Sequence, residues 1–167
     1  MSQVNGFGPA YGPNGGSPLV LEYAATSGAD FEVGAVLALT SGEVASAGAD
    51  PAAGTILGVA LAAEDGAPGY NMANQPSVVT FRQKTVPVAI ANGNVFRGKL
   101  TNGSSTVITP VAADIGASYG ITAYSGVWYV DKAKTTTSAR VVVVKSDTTT
   151  GNQLVWFRFI ESFTVTI

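Results

Sequence analysis

Cysteine and histidine are both missing from this 167-residue chain. Without cysteine there is no disulfide framework, no thiolate nucleophile and no cysteine-ligated zinc or iron–sulfur site. Without histidine the commonest general base and metal ligand are gone, and with them most familiar catalytic mechanisms. Charge is scarce too: Asp, Glu, Lys and Arg make up 12% of the chain, against ~25% in an ordinary globular protein. Long apolar runs are lacking. The longest, residues 56–63, contains Gly58 and falls far short of the ~20 residues a membrane-spanning helix needs. The first residues carry neither a basic start nor an apolar stretch, so a protein made and used without a secretory leader is expected.

What is present is a core. Apolar residues reach 46% and are spread along the chain, which argues against disorder, and a globule of this length buries roughly 70% of its unfolded surface. The net charge of −2 supplies no basic footprint for nucleic acid. The signs are nonetheless separated. Before Arg82 there are seven acids and no base; from Arg82 onward there are nine bases and four acids. This leaves two readings open: a molecule with an acidic and a basic side, or strands that interleave the two halves.

Residues 1–18 hold five glycines, three prolines and no charge, a composition that forms no helix and lacks strand alternation. They are expected to be a flexible arm, with Phe7 and Tyr11 as its docking anchors. From Leu19 the pattern turns to period two, with Leu21 and Tyr23 on the same face and Glu22 on the other. Three hairpins are expected. Ser41-Gly42 joins residues 36–40 to 43–47. Asn92-Gly93 joins 85–91 to 94–100, pairing Ile90 with Val95 and Ala89 with Phe96 between two layers. Ser125-Gly126 sets Ala123 opposite Trp128 and Ile121 opposite Val130. Further strands cover 139–145 and 154–160, and Phe163, Val165 and Ile167 alternate in a terminal strand. Short turns are expected near 51–54 and 111–116, and no internal repeat is evident. The fold class is therefore all-β, a small barrel in residues 19–167 with little helix, in which 101–167 either completes the barrel or forms an outer subdomain.

Chemistry finds little to stand on. Gly116-Ala117-Ser118-Tyr119-Gly120 matches the nucleophile-elbow pattern, but its serine would need a histidine and a following helix. Glu64 and Asp65 are adjacent, and neighbours on an extended chain point opposite ways, so they read as a solvated turn. Asn102-Gly103-Ser104 fits a glycosylation sequon and equally a hairpin turn. Lys132, Lys134, Arg140 and Lys145 form a local basic cluster, read as a solvated face. No catalytic residue, metal ligand or cofactor is expected, and the chain reads as a non-enzyme.

The segment 33–63, VGAVLALTSGEVASAGADPAAGTILGVALAA, resembles the capsid decoration (cement) proteins of tailed phages, the lambda-type head decoration family or a β-tulip relative. The likeness lies in Gly34 to Leu37, the Ser41-Gly42-Glu43-Val44 hairpin, the loop through Asp50-Pro51, the Ile56 to Ala60 strand and the later 86–93 stretch. It implies a small β-barrel that sits as a homotrimer on the outside of an expanded capsid, bridging subunits of the major capsid protein. No nucleic-acid or membrane partner is implied. Leu57 and Val59 are candidates for contacts between copies. The competing expectation is a receptor- or glycan-binding module of a phage tail or fibre, with Tyr70, Trp128 and Tyr129 as its stacking rings.

Overall fold

The computed structural model describes residues 6–65, 85–149 and 151–167, and the chain is all-β. Its first half supplies β1 (Gly8–Tyr11), β2 (Val20–Ala25), β3 (Asp30–Phe31), β4 (Val36–Thr40), β5 (Glu43–Ser46), β6 (Ile56–Ala60), β7 (Glu64–Asp65) and β8 (Thr85–Ile90). The second half supplies β9 (Val95–Thr101), β10 (Val107–Ile108), β11 (Ser118–Tyr124), β12 (Val127–Asp131), β13 (Val141–Ser146) and β14 (Leu154–Phe159). Among the described residues the helical pieces are three short 3-10 turns, one of them, Ala112–Asp114, in the turn expected near 111–116.

Two closed rings of five strands result. β2, β5, β4, β6 and β8 form the first, with β5 parallel to β2 and every other neighbour antiparallel. β9, β12, β11, β13 and β14 form the second, because β14 returns to pair with β9. There too one pair, β12 with β9, is parallel and the others are antiparallel. In chain order the neighbours are first, third, second, fourth and fifth in both rings, so the chain is a tandem pair of the same barrel. This repeat is nearly invisible in the sequence. The dipeptides Ala29-Asp30 and Ser41-Gly42 recur, at the same mutual spacing, as Ala113-Asp114 and Ser125-Gly126.

The recurring Ser-Gly pairs are legible because both residues take positive φ (53° and 85°, then 51° and 79°), the geometry of a tight two-residue hairpin. Both hairpins have the expected registers, including Ala123 with Trp128 and Ile121 with Val130. The Asn92-Gly93 hairpin does not form. β8 stays in the first barrel and β9 enters the second. Asn94 replaces the ladder: its buried amide donates to the carbonyls of Ile90 (2.8 Å) and Leu19 (3.1 Å) and accepts from the Leu19 N–H (3.2 Å). Apolar residues on both faces are correct for this stretch, since it passes between two packed units.

The two interiors are continuous as one apolar cluster. Leu37, Val44, Ile56, Val88 and Ile90 fill the first barrel, and Phe96, Leu100, Ile121, Val130 and Phe157 the second. Each such burial is worth roughly 1.5–3 kcal/mol. The chain ends cross over. β1 precedes the first barrel in sequence but pairs with β9 of the second. The C-terminal residues follow the second barrel but return to the first, where Thr164 bridges Ile56 and the Val165 N–H donates to the Ile56 carbonyl (2.8 Å). The expected terminal strand is thus a 3-10 turn, Glu161–Phe163, and a single bridge.

Candidate functional site

Residues 1–5 lie outside the described residues, and Phe7 is no free anchor. It is 1% exposed and its ring centroid lies 4.7 Å from that of Phe157, 6.4 Å from Trp128 and 6.5 Å from Phe159. β9 makes room for it: a Cβ on Gly98 would lie 2.5 Å from Phe7 Cδ1. Register places Gly98 opposite Val155, and Phe7 occupies the space that the missing side chain leaves. Its backbone N–H donates to Gly34 (3.1 Å), and Tyr11 is half-buried at the end of β1, opposite Val95. Side-chain alternation is unnecessary in a strand this short, because β9 supplies the ladder and Phe7 the burial.

Leu57 and Val59 are likewise core. They are 1% and 0% exposed on β6, which runs between β4 and β8, and neither side chain reaches a surface for contacts between copies. Glu64 is no solvated turn residue: it is 4% exposed in β7, opposite Phe31.

Of the late basic cluster, Lys145 is exposed, as expected of a solvated face, whereas Arg140, Lys134 and Lys132 are turned to internal stitching. Arg140 is 7% exposed; its Nε donates to the Pro51 carbonyl (2.8 Å), its Nη1 to those of Thr137 and Ala139 (both 2.9 Å), and its guanidinium lies 4.1 Å from the Phe163 ring centroid. Lys134 donates to the Ile121 carbonyl (3.1 Å), the Ala49 carbonyl and Asp50 (both 3.3 Å). Both cations therefore fasten the 49–51 loop of the first barrel to the second. The last glycine of the elbow-like motif serves this seam, since a Cβ on Gly120 would lie 2.4 Å from Lys134 Cβ. Ser118 sits at the start of a strand and not before a helix. Lys132 pairs with buried Asp114 (2.6 Å). Asp114 also accepts from the Tyr119 hydroxyl (2.6 Å) and the Val111 N–H (2.8 Å). Burial alone would raise the Asp114 pKa, but the hydrogen bonds from Lys132, Tyr119 and Val111 outweigh it and hold the carboxyl below its ordinary value. Tyr119 is pushed up to about 12 by burial and by its bond to that carboxylate.

Lys145 shares its surface with other outward-facing cations, exposed Arg97 and Arg158 and half-buried Lys99. Arg97 and Lys99 on β9, Arg158 on β14 and Lys145 on β13 point outward around half-buried Trp156, and Lys145 Nζ stands 4.8 Å from the Trp156 ring centroid. Among the described residues no carboxylate lies within ion-pair distance of Arg97, Lys99 or Arg158. Sequence reading passed over this wall because its members come from three strands. The signal was the alternation of Arg97 and Lys99 with the inward residues of β9.

Charge thus follows the barrels. Residues 1–91 carry seven acids and two bases, and residues 92–167 carry seven bases and four acids. Apart from the crossed ends, the described residues of the two sequence halves lie in consecutive barrels. Of the three stacking rings of a glycan platform, Trp128 is 3% exposed beneath Phe7, Tyr129 is half-buried against Tyr124 at 6.0 Å, and Tyr70 lies outside the described residues. Among the described residues no group of three or more acidic, histidine or cysteine side chains is placed to hold a metal ion, and no helix is long and apolar enough to cross a membrane. Neither a protein-family model nor a curated protein matches the chain.

Proposed function

We propose that this protein is a non-catalytic structural component of a phage virion, a decoration protein that binds the outer surface of the expanded capsid and stabilises it by bridging subunits of the major capsid protein. The observation that carries the reading is that the residues sharing the decoration-protein likeness are contiguous in the fold: β4, β5, β6 and β8 are four of the five strands of the first barrel. A rigid, cysteine-free pair of filled barrels with oppositely charged units suits oriented attachment to a lattice of repeated sites. Stabilisation then follows from linkage, since a ligand that binds the assembled shell better than free coat protein adds its binding free energy to the shell, and many modest contacts act together.

Co-sedimentation of the purified full chain with expanded heads lacking it tests this. Saturable binding that raises the temperature at which the heads rupture is expected. No binding to such heads overturns the reading and directs the search to glycans. Deleting residues 1–18 is the wrong control, because it removes the Phe7 plug; charge reversal on the exposed walls is the appropriate one.

A further inference from the structure

The repeat exposes a difference between the barrels. In each, the parallel pair between first and third strands is two residues long, Ala24–Ala25 with Glu43–Val44 and Leu100–Thr101 with Val130–Asp131. The rest of the first strand runs past its parallel neighbour. In the second barrel β1 covers this overhang, pairing with Val95 to Arg97. In the first barrel, among the described residues, no strand pairs with that side of Val20 to Tyr23.

The backbone there is poised for a partner. The Ile90 N–H donates to the Leu19 carbonyl at 3.0 Å, so the alternation of an antiparallel ladder gives Leu21 and Tyr23 to β8 and turns the N–H and C=O groups of Val20 and Glu22 outward. Leu19 is 49% and Val20 41% exposed, and the Glu22 carboxylate, exposed beside them, accepts from Thr85 Oγ1 (2.9 Å). An uncovered sheet edge carrying apolar side chains is a template for association.

We propose that this β2 margin, open among the described residues, is a docking surface for a second copy of the chain, which seats there the cationic wall of its own second barrel. The chemistry matches on both sides. The outward carbonyls of Val20 and Glu22 and the Glu22 carboxylate are acceptors, whereas Arg97 and Arg158 are guanidinium donors without an ion pair among the described residues. Trp156 offers an apolar face to Leu19 and Val20. The barrel that receives is acidic and the barrel that docks is basic, so the contact is head-to-tail and uses different surfaces on the two copies. This inference stands on the two barrels and does not depend on the capsid reading.

Sedimentation velocity of the full chain, with E22K and the pair R97E/R158E, provides the test. Wild-type protein self-associates, less so as salt rises, and each variant alone associates about tenfold more weakly. An equimolar mixture of the two regains association, because the reversed margin of one meets the reversed wall of the other; a variant that is merely destabilised would gain nothing from mixing. L19K, on another exposed side chain, replaces E22K should that variant fail to fold. A wild-type chain that stays monomeric, variants that associate as tightly as wild type, or a mixture no tighter than its components each overturn the proposal.

Discussion

Replacing Phe7 by alanine should unfold more of this protein than its position near the N-terminus implies. The ring is 1% exposed and contacts Phe157, Phe159 and Trp128, and the empty position at Gly98 means no neighbour is shaped to close over the gap. Truncating a buried phenylalanine costs about 3–5 kcal/mol, the transfer of the ring plus the cavity left behind. The whole domain has ~5–15 kcal/mol to lose, and at roughly 2–4 °C per kcal/mol for a chain of this size the melting temperature should fall on the order of 10 °C. Urea denaturation followed by tryptophan fluorescence measures it, because Trp128 lies against the missing ring. A second arm sharpens the result. G98A should destabilise the wild type, where its methyl meets Phe7, and cost far less in F7A, where that space is vacant. A loss below about 1 kcal/mol for F7A, or equal costs of G98A in both backgrounds, would refute Phe7 as a core plug.

Three further outcomes follow from the same geometry. R140M leaves the carbonyls of Pro51, Thr137 and Ala139 without their donor and should cost roughly 2 kcal/mol or more, read by calorimetry, whereas an unchanged melt would deny the seam. G120A should be destabilising although the residue is small, because Lys134 occupies its side-chain space, and thermal denaturation would show it. The Asp114 cluster gives a pH dependence. Its carboxyl is held low in the folded state, so its stabilisation is present above the unfolded value and is lost as acid carries the pH down through the folded one. Tyr119, raised to about 12, stabilises fully below its ordinary value of 10.0 and loses that contribution as pH climbs from there toward 12. D114N should flatten the acid limb of stability against pH, and tyrosinate absorbance should show one late-titrating tyrosine.

The hairpins were legible because two-residue Ser-Gly turns need positive φ, and only a few residue types supply it. The all-β class followed from alternation. The tandem barrel was not legible, since a barrel strand requires only inward apolar residues, and Leu21, Tyr23 and Ala25 satisfy this as well as Phe96, Gly98 and Leu100. Asn92-Gly93 misled for a specific reason: it carries the chemistry of a hairpin, but Asn94 spends its amide on Leu19 and Ile90 and sends the chain into another sheet. Phe7 misled because an aromatic among glycines and prolines looks alike whether it anchors to a partner or to its own core. The basic cluster misled because nearness in sequence does not place Lys134 and Arg140 at the seam; only the 49–51 loop opposite them does. Of the candidate site, the segregation of charge was visible in the sequence, but the surface that presents it was not.

The crossed ends of the chain have a mechanical consequence. With the N-terminal strand laid on the second barrel and the C-terminal residues tied to the first, the two units are interlocked like clasped hands, and the covalent link at 91–94 is not what keeps them together. Cleavage there should leave a complex that migrates as one species. A pull on the two termini would load β1 and the final bridge before either barrel could peel open, so the molecule would resist tension as a single body.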